Sequence, residues 1–527
     1  MNLKLVAHHL GFILLLLSAS MLVCLFWALP IAGGVWSQEK EGFWAIMVSS
    51  GITGILGAFL SRIGRKARKM NLFRREAIAI VGIGWILASL CGALPYLFSG
   101  IPRTVLSDGS LIPLTFIDAF YESVSGFTTT GGSVIGELED PAVMPRTILF
   151  WRSFTHFIGG VGIMVFLVAI LGSGMSGRLL VQREVSGPQR AAKIARIQMV
   201  VRRTLTVYLV LNAVLIILLR GCGLDFFDSL CHSFGTVATG GLSSRNASFG
   251  AFRAIPGVDF ESAEWILTIF MFISGMNFMA LYFLALRDWK PLVKSREWQV
   301  YLGIIVFASG MLLFFQRPFD SQAGLSLENS VRNAFFHVIS AITTTGYVTT
   351  DCSHWPVMSQ MTIFSLMFVS ACAGSTAGGF KIMRYLILFK ILYLELEKVY
   401  RPAIVRPLYL DGERIRDSAL VMNVLIFFSL AFLTVIGSWI FSMLCEPDSL
   451  WQVKEAPYLM ETKARDLLGA VISHFANVGL GMGILCLDNN FGALTQPTKF
   501  LYACLMLLGR LDFYVILLLF SPTFWKK

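Results

Sequence analysis

The chain has 527 residues, 56% of them hydrophobic and only 14% charged, with a formal net charge of +11. A soluble chain carries about a quarter charged residues, and here the apolar residues fall in runs of about 20, the length a helix needs to cross the hydrocarbon layer. Composition therefore excludes a soluble globular protein. The positive charge alternates with the apolar runs and does not cover a basic domain studded with aromatics, so nucleic-acid binding is excluded too.

The first apolar run, residues 10–31, is too long for the core of a signal peptide, and a second follows at 43–60. It reads as a retained anchor. These two helices and the basic stretch behind them form region 1–75, outside any repeat. Four units follow, at 76–197, 198–296, 297–416 and 417–527. Each has a span, a short half-apolar segment too brief to cross a bilayer, a polar loop and a second span. The short segments are expected as pore helices at 114–126, 226–236, 329–342 and 464–476. The predicted fold class is an all-α polytopic membrane protein with four repeats in pseudo-fourfold arrangement plus two N-terminal helices. Basic clusters at 62–75, 178–203, 287–296 and 381–416 are separated by even numbers of crossings, which places them and both termini in the cytoplasm. Nine cysteines are scattered singly without metal-ligand spacing and read as small packing residues. Cys352 and Cys486 fall near the opposite surface, with nothing in the sequence to pair them.

The loops carry the chemistry. They read Phe127-Thr128-Thr129-Thr130-Gly131-Gly132, Val237-Ala238-Thr239-Gly240-Gly241, Ile342-Thr343-Thr344-Thr345-Gly346-Tyr347 and Ala476-Asn477-Val478-Gly479-Leu480-Gly481. A Thr- or Val-Gly run after a short helix can aim backbone carbonyls at a dehydrated cation. Glycine is needed where a side chain would block the backbone's approach to the axis. Non-helical backbone at membrane depth is tolerated only against protein or a water-filled path, so four such hairpins are expected around one axis. The candidate filter residues are Thr129, Thr130 and Gly131; Ala238, Thr239 and Gly240; Thr344, Thr345 and Gly346; and Asn477, Val478 and Gly479. Asp118, Asp228 and Asp466 are expected to cap the starts of their pore helices.

The second span of repeat three is interrupted by Ala373-Gly374-Ser375-Thr376-Ala377-Gly378-Gly379, which should break the helix at mid-membrane. The last span contains Arg510, costly at bilayer centre unless it faces a cavity and has a partner. Carbonyls freed by the broken span, or Asp512, can serve. Gly374, Ser375, Thr376, Ala377, Gly378, Gly379 and Arg510 are therefore the candidate gate beneath the filter. The other reading is an Arg–Asp pair that merely pins two helices. Gly159-Gly160-Val161-Gly162 reads as a close-packing seam.

Ser125-Gly126-Phe127-Thr128-Thr129-Thr130-Gly131, Thr343-Thr344-Thr345-Gly346-Tyr347, Ala373 through Lys381, Gly509-Arg510-Leu511 and Trp151-Arg152 together resemble the Trk/Ktr/HKT superfamily of K+ transporters. Nearly the whole chain shares in the likeness, and the two extra N-terminal helices are similar to the bacterial Trk branch. The resemblance implies Gly131, Gly240, Gly346 and Gly479 as filter glycines, with K+ as the transported ion. It implies a gating loop that contacts Arg510. It also implies a homodimer in the bacterial inner membrane, one pore per subunit, docked on a cytoplasmic nucleotide-binding ring. NAD or ATP would sit on that partner, and no nucleotide on this chain. Leu480 stands where the family usually has proline, and Ala238 where serine or threonine is frequent. Both bear on fine selectivity.

A channel-like uptake path has two alternatives. A symporter coupled to H+ or Na+ needs a titratable relay, for which His156, His337 and His474 are the candidates. His337 and His474 lie on pore helices and read more simply as packing residues. A membrane enzyme is disfavoured, because the sequence has no HExxH motif, aspartyl dyad or nucleophile elbow.

Overall fold

Inside a bilayer the backbone has no water to bond, so a long apolar run must satisfy itself as helix. In a computed structural model this is what the apolar runs do. The structure describes residues 1–67, 73–105, 110–171, 190–322, 324, 326–352, 355–402, 408–410, 413–415, 418–451, 459–485, 490–511 and 513–526. Asp512, Cys486 and part of the basic segment 178–203 lie outside the described residues.

The N-terminal helices, Leu3–Cys24 and Trp36–Gly64, form a hairpin with a small-residue seam. A methyl group on Gly11 would fall 2.4 Å from the Ser61 nitrogen, and Ser18 Oγ donates to the Ser50 carbonyl at 2.8 Å. Close approach of this kind is how helices associate where lipid removes the hydrophobic drive. The hairpin also braces repeat one. Buried Glu39 accepts the free N–H groups of Arg146 (2.7 Å) and Thr147 (3.1 Å) at the start of helix Arg146–Leu171, where a carboxylate complements the helix dipole.

The same order then recurs four times. First spans are Arg74–Phe98, Arg190–Gly221, Arg296–Gln322 and Ser418–Cys445. Short helices follow at Phe116–Phe127, Phe226–Val237, Leu327–Ile342 and Leu459–Phe475. Only the second span of repeat one, Arg146–Leu171, is continuous. In repeat two, Phe260–Ser274 and Phe278–Ala285 meet at 107°. In repeat three, Val357–Met367 and Ile382–Tyr400 flank the expected non-helical stretch. In repeat four, Gln496–Leu511 and Phe513–Leu519 meet at 117°. Among the described residues, six helices are long and apolar enough to cross alone, and the two bent pairs pass the same test together.

Capping differs from expectation in two repeats. Thr115 and Asp118 form a reciprocal capping box at the first short helix, as their spacing allows. At the second, the cap is Asp225, whose carboxylate accepts the Asp228 N–H at 2.6 Å, while Asp228 itself binds Ser244 and Arg245. The fourth short helix begins at Leu459, so Asp466 lies mid-helix. It accepts from Trp451 Nε1 (3.3 Å) and the Ile484 N–H (3.2 Å). Ser326 caps the third.

Candidate functional site

All four short helices end alike. The residue after the last turn has a left-handed backbone: Thr129 (φ 51°), Thr239 (55°), Thr344 (57°) and Asn477 (56°). Such a conformation costs a non-glycine residue about 1–3 kcal/mol and persists only where the surroundings impose it. Here they do. The next N–H returns to the carbonyl five residues back, at 2.9 Å for Thr130 to Ser125, 2.7 Å for Gly240 to Gly235, 2.9 Å for Thr345 to Ser340 and 2.8 Å for Val478 to Ser473. A glycine in the positive-φ region follows at Gly131 (87°), Gly241 (76°), Gly346 (79°) and Gly479 (77°).

Both regularities set one register, and they correct the sequence in loop two. The equivalent of Gly131, Gly346 and Gly479 is Gly241, while Gly240 matches Thr130, Thr345 and Val478. Sequence alone chose the first of two adjacent glycines.

The loops close on one another. A methyl group on Gly131 would fall 2.0 Å from the Gly240 carbonyl oxygen, one on Gly241 1.8 Å from that of Thr345, one on Gly346 2.1 Å from that of Val478, and one on Gly479 2.1 Å from that of Thr130. Loop one thus touches two, two touches three, three touches four, and four touches one. The four equivalent carbonyls lie in a closed cycle, each against the next loop's glycine. Any side chain at those glycines would collide with the oxygen.

The broken span lies against this cycle. The Gly378 N–H donates to Thr344 Oγ1 at 2.9 Å, the Thr376 hydroxyl donates to the Val237 carbonyl at 2.9 Å, and a methyl on Gly379 would fall 2.7 Å from the Ala476 carbonyl. Lys381 Nζ donates back to the Ala377 carbonyl, and Ser375 Oγ donates to that of Cys372. Arg510, buried, donates from Nη1 to the Thr376 carbonyl at 2.9 Å. A carbonyl of the broken span is thus a partner of Arg510; Asp512, the other partner expected, lies outside the described residues. The Glu297 carboxylate accepts the N–H groups of both Ala373 (2.7 Å) and Met383 (3.2 Å), bracketing the non-helical stretch.

Sequence reasoning missed the ion pairs that hold the hairpins. Arg152 Nε lies 2.5 Å from Glu122, and its Nη1 donates to the Ser243 carbonyl, tying repeat one to loop two. Arg332 on the third short helix pairs with Glu264 of repeat two at 2.7 Å. Lys499 of repeat four pairs with Asp118 of repeat one at 2.7 Å, both fully buried. The only available signal was a charged residue within an apolar stretch. Changing Lys499 to methionine takes the nearest counter-charge from buried Asp118, leaving Arg103 at 3.8 Å, and losing one partner of a buried pair costs about 3–5 kcal/mol. A large drop in the unfolding midpoint of the detergent-solubilised protein is expected, and an unchanged midpoint would discount the pair. Beyond the ring, Glu137 and Asn246 tie the connections after loops one and two. Burial opposes the Glu137 charge, but the N–H groups of Glu139 and Asp140 and the Asn246 amide outweigh it and hold its carboxyl below the usual range.

The candidate histidines separate. His474 donates from Nδ1 to the Ala470 carbonyl (2.6 Å), and its Nε2 meets the Tyr121 hydroxyl (2.5 Å). His337 Nδ1 donates to the Asn333 carbonyl (2.9 Å). His156 makes no well-formed hydrogen bond on either nitrogen among the described residues.

Four buried hairpins closing a cycle of backbone oxygens, within a bundle of apolar helices, are the build of a multi-pass membrane transport protein. The family model described as TrkH, cation transport protein, matches residues 60–527. The chain belongs to this family. It is 30% identical to the Trk system potassium uptake protein TrkH of Escherichia coli (strain K12) across 100% of both chains, and 30% identical to that of Halomonas elongata, again across 100% of both. The crystal structure of the potassium transporter TrkH from Vibrio parahaemolyticus matches with a TM-score of 0.82 at 28% identity, covering 100% of each chain. The resemblance read from the loop motifs therefore stands.

Proposed function

We propose that this chain is a K+ uptake path of the bacterial inner membrane, a gated pore in which the Thr130, Gly240, Thr345 and Val478 carbonyls replace water around the ion. The closed cycle of equivalent oxygens is the observation that carries this reading. Thr129, Ala238, Thr239, Thr344 and Asn477 hold the oxygens in register, and Gly131, Gly241, Gly346 and Gly479 allow the loops to meet. The membrane potential supplies about 2.3 kcal/mol per charge per 100 mV, so inward flow needs no coupled ion. Residues 374–379, hydrogen-bonded to loops two and three and to Arg510, act as the gate.

The names of the relatives speak of potassium uptake and of a system, which supports both the ion and the presence of further components. We take these to be a second copy of this chain and a cytoplasmic ring that binds NAD or ATP, with both termini of this chain facing the ring. Rubidium uptake into liposomes containing the purified chain, with Na+ as competitor, tests the reading. Uptake should follow an imposed potential, persist without a pH or Na+ gradient, and lose its preference over Na+ in Gly346→Ser. Uptake that needs either gradient would establish a symporter instead.

A further inference from the structure

Loops one, three and four carry a side chain just before the filter glycine: Thr130, Thr345 and Val478. Loop two carries Gly240. Its φ is not positive, so an L-residue fits the backbone there, and glycine is required by space alone. That space is occupied. A methyl group on Gly240 would fall 2.6 Å from Cε1 and Nδ1 of His156 and 2.7 Å from its Cγ.

His156 belongs to repeat one, on helix Arg146–Leu171, and is fully buried. Neither ring nitrogen makes a well-formed hydrogen bond among the described residues, and the polar group that acts on the ring is the Ser125 backbone, so contact with its neighbours is what chiefly holds it. The helix itself is fixed on both sides of it. One turn earlier, Arg152 is bound to Glu122 and the Ser243 carbonyl. One turn later, Gly159 and Gly160 let the backbone close in, with virtual methyl positions 2.1 Å from the Phe127 carbonyl oxygen and 3.1 Å from Ala238 Cβ. The ring is thus pressed against loop two by a rigid element.

Loop two also needs such support at the residue that carries its ring oxygen. That residue is Gly240, where the other loops have Thr130, Thr345 and Val478, and glycine has the widest backbone freedom. We infer that His156 is a positioning residue for ion selection, its ring standing in for the side chain that loop two lacks and holding the Gly240 carbonyl in the ring of four. This deepens the filter reading proposed above and rests on it. Selectivity depends on the number and placement of the coordinating oxygens, and a void beside a packed group forfeits the contacts that held it.

The test is a set of variants in the liposome assay, read as rubidium uptake against Na+ competition. His156→Ala should retain uptake but lose roughly tenfold in discrimination, within the range of coupling between contacting residues. His156→Phe keeps a ring without nitrogens and should discriminate nearly as the natural protein does. Gly240→Thr alone should be impaired by collision with the imidazole. Gly240→Thr combined with His156→Ala rebuilds the arrangement of loops one and three, and should recover discrimination to within about threefold. Unchanged discrimination in His156→Ala, a double variant no better than either single one, or a phenylalanine variant that loses discrimination would each overturn the inference. The last of these holds even where the alanine variant does not fold. Gly346→Ser runs alongside: if it leaves discrimination untouched, the filter reading itself fails, whereas if it abolishes discrimination while the His156 and Gly240 variants do not interact, only the role of His156 is lost.

Discussion

Changing Gly241 to alanine is expected to lower rubidium uptake by about a hundredfold and to erase its preference over Na+, a larger effect than the same change at Gly240. Two penalties add at Gly241. Its φ of 76° lies in the region an L-side chain avoids, a strain of about 1–3 kcal/mol. The new methyl would also fall 1.8 Å from the Thr345 carbonyl oxygen, and overpacking costs about 1–3 kcal/mol more. At about 1.4 kcal/mol per factor of ten, the two together give roughly the hundredfold stated. The chain can relieve them only by pushing loop two off loop three, which opens the ring. At Gly240 the backbone is unstrained and the collision is with a side chain, so roughly tenfold is expected, chiefly in discrimination. Matched uptake measurements on the two variants decide the register: a more severe defect at Gly240 would restore the alignment read from the sequence.

That misalignment shows where sequence reading stops. Short helices at 226–237 and 327–342 were legible because apolar segments too brief to span precede Thr-Gly loops, and the observed bounds differ from expectation by two residues or fewer. The break at 374–379 was legible because three glycines and two hydroxyl residues interrupt an apolar run. In Thr239-Gly240-Gly241 nothing in the letters says which glycine takes the positive φ. The hydrogen bond from the Gly240 N–H to the Gly235 carbonyl decides it, and that bond exists only once the helix end is built. The break after Ser274 escaped notice because Gly275-Met276-Asn277 is too short to disturb the apolar pattern. It is stabilised from outside, by the Phe278 N–H donating to the Gly374 carbonyl (3.1 Å) and Asn277 Nδ2 to that of Ala373 (2.8 Å). Asp466 misled because a carboxylate near the start of an apolar segment looks like a cap, whereas the helix begins a further two turns upstream. Partners such as Asp118 and Lys499 are 381 residues apart, beyond the reach of any local pattern.

Removing the Arg510 guanidinium is expected to raise uptake through the resting protein by roughly thirtyfold. Two contributions are involved, and a second variant separates them. As a charge against the filter-flanking segment it opposes a passing cation; a unit pair separated by roughly 8 Å at an effective dielectric of about 20 repels by about 2 kcal/mol, a factor of roughly thirty. As a donor it holds the Thr376 carbonyl at 2.9 Å, while the Thr376 hydroxyl is bound to the Val237 carbonyl of loop two at the same distance. Residue 376 is therefore fastened on both sides, to Arg510 by its carbonyl and to the filter loop by its side chain. Nε and Nη2 of Arg510 have no partner among the described residues, so within them the bond to the Thr376 carbonyl is what anchors the side chain. Lysine keeps the charge but lacks the planar fork. If charge is the barrier, Arg510→Lys should stay closed and Arg510→Ala open. If the bond to Thr376 is the latch, both should open, and Thr376→Val, which removes only the hydroxyl, should open part of the way. Rubidium uptake that is the same in Arg510→Ala as in the natural protein would leave the arginine a helix pin and residues 374–379 without a gating role.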